Sequence, residues 1–173
     1  MIIREPRLKP DVNGIPKDFA DTKDYFNKAL DEDKLPWIPR KKPITDEEIK
    51  KLWVPSLEQN ICLVAELDER VVGQLTVLYD PKSNLYEHRD QRKPGNIGFA
   101  ADPKFYTSVL EKIVPKLVSE LKQQGKTAVW TMSKESPANQ VLKKLGYEAK
   151  VLENQERYKE AGLSGKVCEY GLG

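Results

Sequence analysis

Between Gly98 and Gly125 the chain reads "GFAADPKFYTSVLEKIVPKLVSELKQQG", and this stretch restricts the possible folds more than any other. An apolar run reaches Asp102 and Pro103, where a proline cannot donate to a strand ladder. From there Tyr106, Val109, Leu110, Ile113, Leu117 and Leu121 keep the i, i+3, i+4 spacing of a helix with one buried face. A helix of that length must cover its apolar stripe with a sheet or with other helices. Pro115 falls inside it and predicts a kink, because its ring removes a backbone donor and crowds the preceding turn.

The flanking segments supply a sheet. "ICLVAELDERVVGQLTVLYD" is two apolar runs, Ile61 to Leu67 and Val71 to Tyr79, joined by "DER", which predicts a hairpin. After the polar loop "PKSNLYEHRDQRKPG", "NIGFAA" is the strand that feeds the long helix, and "TAVWTM" is a further strand by its β-branched and aromatic content. "SPANQVLKKLGY" predicts a helix with Ser136 as N-cap, Pro137 at the first helical position and Gly146 as its left-handed stop. "YEAKVLE" and "KVCEYGLG" close the chain as strands around the polar "NQERYKEAGLSG".

Upstream, "MIIREPRLK" predicts a first strand, and "ADTKDYFNKALDED" a helix carrying Tyr25, Phe26, Ala29 and Leu30 on one side. The proline-rich "KLPWIPRKKP" leads into "ITDEEIKKLW", where Thr45 and Glu48 form a capping box. The order β-α-α-β-β-β-α-β-α-β-β predicts a mixed α/β sheet, with residues 1–173 as one domain.

The 29 basic and 27 acidic residues nearly cancel, for a net charge of +2, whereas a nucleic-acid-binding domain is usually far more basic. No apolar run approaches the roughly 18 residues of a membrane helix, and "MIIREPRLKP" lacks a signal-peptide core, so a cytoplasmic protein without nucleic-acid or membrane partners is expected. Cys62 and Cys168 lie in apolar runs with no metal-ligand spacing to another Cys or to His88, and read as small buried hydrophobes. No metal is expected.

The order of elements, with "GFAADP" entering a long helix and "VLKKLGYEAKV" ending one in Leu-Gly-aromatic, resembles the GNAT superfamily of acyl-CoA N-acyltransferases. "RVVGQLTV" is similar to that family's second and third strands, with Gly73 at a common glycine position. The resemblance implies a central, mostly antiparallel mixed sheet with a splayed central strand pair, flanked by about four helices. It implies acetyl-CoA as co-substrate, its pantetheine arm on the backbone of Phe99 and Ala101 and beside Asn139, and its pyrophosphate on the loop after Pro103, at Tyr106, Thr107 and Ser108. Residues 1–60 would form the acceptor side, with Trp37, Ile38 and Trp53 as candidate lining, and residues 61–173 the acyl-CoA side.

The phosphate loop departs from the family pattern. Tyr106 stands at the basic position, Val109 at the first glycine and Glu111 at the final Gly or Ala, so a bulky side chain and a carboxylate replace a backbone cradle. Ser108 with Glu111 three residues on can close the helix start as a capping box, and Asp102 with Pro103 offers a cap one turn earlier.

Catalytic residues are not identified. The family's acid on the later helix falls on Leu142, and its frequent Glu falls near Gly95 or Asn96. Tyr79, Tyr86, Glu87, His88 and Asp90 are the substitutes available near the third strand, while Trp130, Tyr147 and Tyr170 read as core or edge aromatics. "PRKK" and "RDQRK" read as solvated charge. The resemblance implies transfer of an acetyl group from acetyl-CoA to an unidentified small-molecule or peptide amine. The alternative is an inactive binding or regulatory module of the same fold with a closed CoA groove, the two being separated by whether Phe105 or Tyr106 fills the opening between "NIGFAA" and "TAVWTM".

Overall fold

In the computed structural model, which describes residues 1–79, 94–151 and 167–173, the sheet grows outward from the hairpin of β2 (Ile61–Leu67) and β3 (Arg70–Leu78). Asp68 and Glu69 turn it with φ of 51° and 62°, the two positive values whose twist suits antiparallel strands. β1 (Ile2–Arg4) joins β2, and β4 (Gly95–Ala101) joins β3, both antiparallel. β5 (Ala128–Ser133) runs parallel to β4, and β7 (Val167–Leu172) and β6 (Lys150–Val151) complete the order β1-β2-β3-β4-β5-β7-β6. The mixed, mostly antiparallel sheet expected from the sequence is thus present. The first strand is shorter than expected, three residues ending at Arg4, two before Pro6.

Alternation along β2 sends Ile61, Leu63 and Ala65 to one face and Cys62 and Val64 to the other. The first face carries α4 (Tyr106–Gln124) and α5 (Ala138–Lys144). The second carries α1 (Lys17–Asp31) and the helical run 46–56, where a π-helical turn, Ile49–Trp53, joins α2 (Asp46–Glu48) to α3 (Val54–Ser56). α4 runs unbroken through the exposed Pro115 and stops at Gly125 with φ of 62°. It lies so close to the sheet that a Cβ on Gly73 would come within 2.4 Å of the Val109 side chain.

One polar cluster ties three elements together. The Arg4 guanidinium donates to both Asp18 oxygens, at 2.6 and 3.0 Å, and its Nε to Glu66 at 2.8 Å, while the Arg7 backbone N–H also reaches Asp18 at 2.6 Å. Both cysteines are buried and unpaired, as their apolar surroundings suggested. Among the described residues no helix is long and apolar enough to cross a membrane.

Candidate active site

β4 and β5 pair only at Gly95 with Ala128 and Asn96 with Val129. Gly95 donates across to the Thr127 carbonyl at 3.0 Å, and Asp102, beyond the other end of β4, donates to the Val72 carbonyl of β3 at 2.8 Å. Since the β3–β4 register is unbroken from Asn96 to Ala101, strand alternation turns the backbone groups of Ile97, Phe99 and Ala101 towards β5 and those of the even-numbered residues towards β3. With β5 diverging past this pairing, which takes up the Ile97 N–H through the Val129 carbonyl, the backbone groups of Phe99 and Ala101 have no strand to pair with. They border a cleft of about 220 Å³ lined by Trp37, Ile97, Phe99, Tyr106, Trp130 and Ser136 among others.

Aromatic rings occupy much of that opening. Phe99 meets Tyr106 edge-on at 5.2 Å and Trp130 at 5.5 Å, and Trp37 meets Tyr106 at 6.0 Å. The ring inside the cleft is Tyr106, only 8% exposed, and not Phe105. Burial raises the Tyr106 pKa against the opposing hydrogen bond with Ser136, so the hydroxyl keeps its proton at neutral pH. The Trp37 indole N–H lies beside that hydroxyl but is buried without a hydrogen bond of acceptable geometry.

The loop from β4 into α4 is closed by Asp102. Its carboxylate accepts from the Lys104 N–H at 3.0 Å and its carbonyl from the Phe105 N–H at 2.8 Å, forming the 3-10 turn Pro103–Phe105. This corrects the expectation of a capping box at Ser108: α4 already starts at Tyr106, so Ser108 and Thr107 are exposed residues of its first turn. Glu111 pairs with Lys144 of α5 at 3.0 Å instead of folding back on the helix start. Val109 is fully buried over Gly73. Neither residue that replaces a small one in the family pattern remains as a free group at the loop.

Asn139 is turned into the protein. Its amide donates to the carbonyls of Ser133 and Ser136 at 2.9 and 3.0 Å and its oxygen accepts from Tyr170 and Cys168, both at 3.0 Å. The side chain that the resemblance set beside a pantetheine arm therefore links β5, β7 and the start of α5. Ser136 caps that helix through the Ala138 N–H, and Gly146, with φ of 94°, ends it. Leu142 is fully buried, and Tyr79 donates to the Thr127 carbonyl at 2.8 Å, burial raising its pKa to about 12. Tyr86, Glu87, His88, Asp90 and the basic run at 89–93 lie outside the described residues.

A second cavity, of about 280 Å³, lies on the opposite face of the sheet under α1 and residues 46–56. Phe19, Phe26, Ile44, Trp53 and Leu57 give it an apolar wall. Its floor is a polar strip in which Thr22 donates to Gln74 at 2.9 Å, Gln74 to Thr76 at 3.4 Å and Thr76 to Cys62 at 3.5 Å. Ile38, Leu78, Gly98 and Phe99 line both cavities, so β4 is the partition between them. Of the expected acceptor-side residues, Trp53 lines this cavity, Ile38 lines both and Trp37 lines only the cleft. Sequence reasoning missed the strip, although a glutamine within the apolar "VVGQLTV" signals a polar group held inside a sheet.

No family model matches the chain. Its fold matches solved structures over almost its whole length. The ribosomal-protein-alanine N-acetyltransferase of Brucella melitensis is 13% identical, with a TM-score of 0.68 over 99% of this chain and 98% of that one. The yncA protein of Salmonella typhimurium, solved with acetyl-CoA, is 15% identical, with a TM-score of 0.66 over 99% and 91%. A GNAT-family acetyltransferase of Streptococcus pneumoniae is 14% identical, with a TM-score of 0.62 over 99% of each. The fold is that of the GNAT N-acetyltransferases.

Proposed function

We propose that this chain, with its GNAT fold, is an N-acyltransferase that moves an acetyl group from acetyl-CoA to a small-molecule or peptide amine. The observation that carries the proposal is the unpaired backbone edge of Phe99 and Ala101 over an apolar cleft. A β-edge of this kind suits an extended arm that bears its own amides, as pantetheine does. The buried, unbonded Trp37 N–H adds a donor seeking an acceptor in the same cleft.

The phosphate end fits less fully. Lys104, Thr107 and Ser108 are exposed at the loop and could meet a pyrophosphate, and Glu111 is neutralised by Lys144. Against this, the Asp102 cap uses the Lys104 and Phe105 N–H groups, and its carboxylate opposes an anion. Weak, salt-sensitive binding of the nucleotide end follows, since exposed charges are screened. The thioester supplies the activated acetyl group; the chain's part is to align the arm along β4 and to exclude water with Trp37, Phe99 and Trp130. A cytoplasmic site of action suits the two unpaired, buried cysteines.

One observation favours a second reading, an inactive module of the same fold with a closed groove. It is the Phe99–Tyr106–Trp130 ring cluster inside the cleft. Titration calorimetry of the purified protein with acetyl-CoA and with free CoA, at low and moderate salt, separates the two. A micromolar Kd that weakens with salt is the expected result. No heat and no thermal shift at millimolar ligand would leave the closed module.

A further inference from the structure

The second cavity lacks what a protonated amine needs. No Asp or Glu is among its described lining residues, and its one charged group, Arg40, is held by both carboxylate oxygens of Glu48 and by the Lys42 and Pro43 carbonyls. The nearby Asp18 carboxylate is bound to Arg4. An ammonium entering this space would be stripped of water with no free carboxylate to receive it. The cleft that meets this cavity at Phe99 also has no Asp, Glu or His among its described lining. A proton on the acceptor nitrogen would have no described base to take it.

Apolar rings and a neutral polar strip favour the opposite kind of ligand. Phe19, Phe26, Trp53 and Phe99 offer faces and edges to a flat molecule, while Gln74 and Thr76 can meet one neutral N–H group. We propose that this cavity takes an uncharged arylamine, whose nitrogen is already unprotonated at neutral pH because its lone pair is shared with the ring. The role of that amine as acetyl acceptor rests on the transferase function proposed above; the selection of a neutral ligand does not. In the transfer, the arylamine nitrogen forms the C–N bond to the thioester carbonyl carbon, and the C–S bond breaks with its electron pair going to sulfur. The displaced N–H proton neutralises the thiolate, giving an N-aryl acetamide and free CoA.

Two isomers of one formula test the selection without any acetyl donor. 4-Ethylaniline is neutral at pH 7, and 4-methylbenzylamine is an ammonium. Calorimetry with each at pH 7 should give at least tenfold tighter binding for 4-ethylaniline. Near pH 10, where aliphatic amines lose their proton, the two should converge. The Cys62 thiol at the cavity does not confuse that comparison, because burial holds it up at about 12. Gln74→Glu, which puts a carboxylate on the floor, should reverse the preference at pH 7; if that variant does not fold, the pH comparison on the unaltered protein decides alone. Equal or tighter binding of 4-methylbenzylamine at pH 7, or no binding of either isomer, would overturn the proposal. Binding of 4-ethylaniline without acetylation when acetyl-CoA is added would instead count against the transferase function and leave the neutral-amine cavity standing.

Discussion

Gly73 and Val109 form a matched pair that neither position explains alone. Valine stands where the family pattern has a glycine, and glycine beneath it leaves the room that the valine methyls fill. Gly73→Ala puts a Cβ 2.4 Å from Val109 Cγ1, an overpacking that costs about 1–3 kcal/mol. In urea denaturation the loss should shrink when Val109→Ala is added, so that the double variant is more stable than the sum of the single changes allows; additive losses would mean the two do not share that space. Half of this pair was legible: a glycine in "RVVGQLTV" marks a close approach, but its partner lies across a sheet-helix contact that sequence spacing does not report. Asn139 shows the same limit from the other side. Its place in the first turn of a helix was readable, whereas its four buried partners come from β5, β7 and the helix start, and only the assembled fold brings them together.

Helix ends, strands and turns were the most legible features, because their signals sit within a few residues of the structure they set. Thr45 caps the Glu48 N–H at 3.2 Å as expected, yet the Glu48 side chain leaves the reciprocal half of the box for Arg40. Glu111 behaves likewise, taking Lys144 of a neighbouring helix in place of the local cap. In both cases a cation from elsewhere in the chain outcompeted a backbone N–H, since charged partners make the stronger hydrogen bond. At the other end of the molecule, the Arg4–Asp18–Glu66 cluster binds β1, α1 and β2. Burial alone would raise the Asp18 pKa, but Arg4 and the Arg7 N–H hold it below the ordinary carboxylate value. Because the folded pKa is the lower one, this stabilisation is present above about pH 4 and is lost as pH falls through the folded value. Asp18→Asn should cost about 2–3 kcal/mol at pH 7, short of the full penalty for a broken buried pair because Glu66 still holds Arg4. The variant should also lose less stability than the parent on acidification from pH 5 to pH 3, as followed by chemical denaturation at each pH; an unchanged acid slope would mean that Asp18 does not titrate below its unfolded value.

Across the whole molecule, β4 is the element on which everything depends. It divides two cavities, presents one backbone edge to β3 and leaves the other facing the cleft that opens towards β5. The element order was readable from the sequence and implied the splay through the family resemblance. The degree of filling was not, because Phe99, Tyr106 and Trp130 meet only after β5 has diverged. The central claim is that an acetyl-CoA arm lies along this free edge, and backbone amide hydrogen exchange with and without acetyl-CoA tests it residue by residue. The N–H groups of Phe99 and Ala101 should slow by at least tenfold on addition of the ligand, while those of Gly98 and Ala100, already turned to β3, should hardly change. Unaltered exchange at Phe99 and Ala101 under saturating acetyl-CoA would contradict the claim.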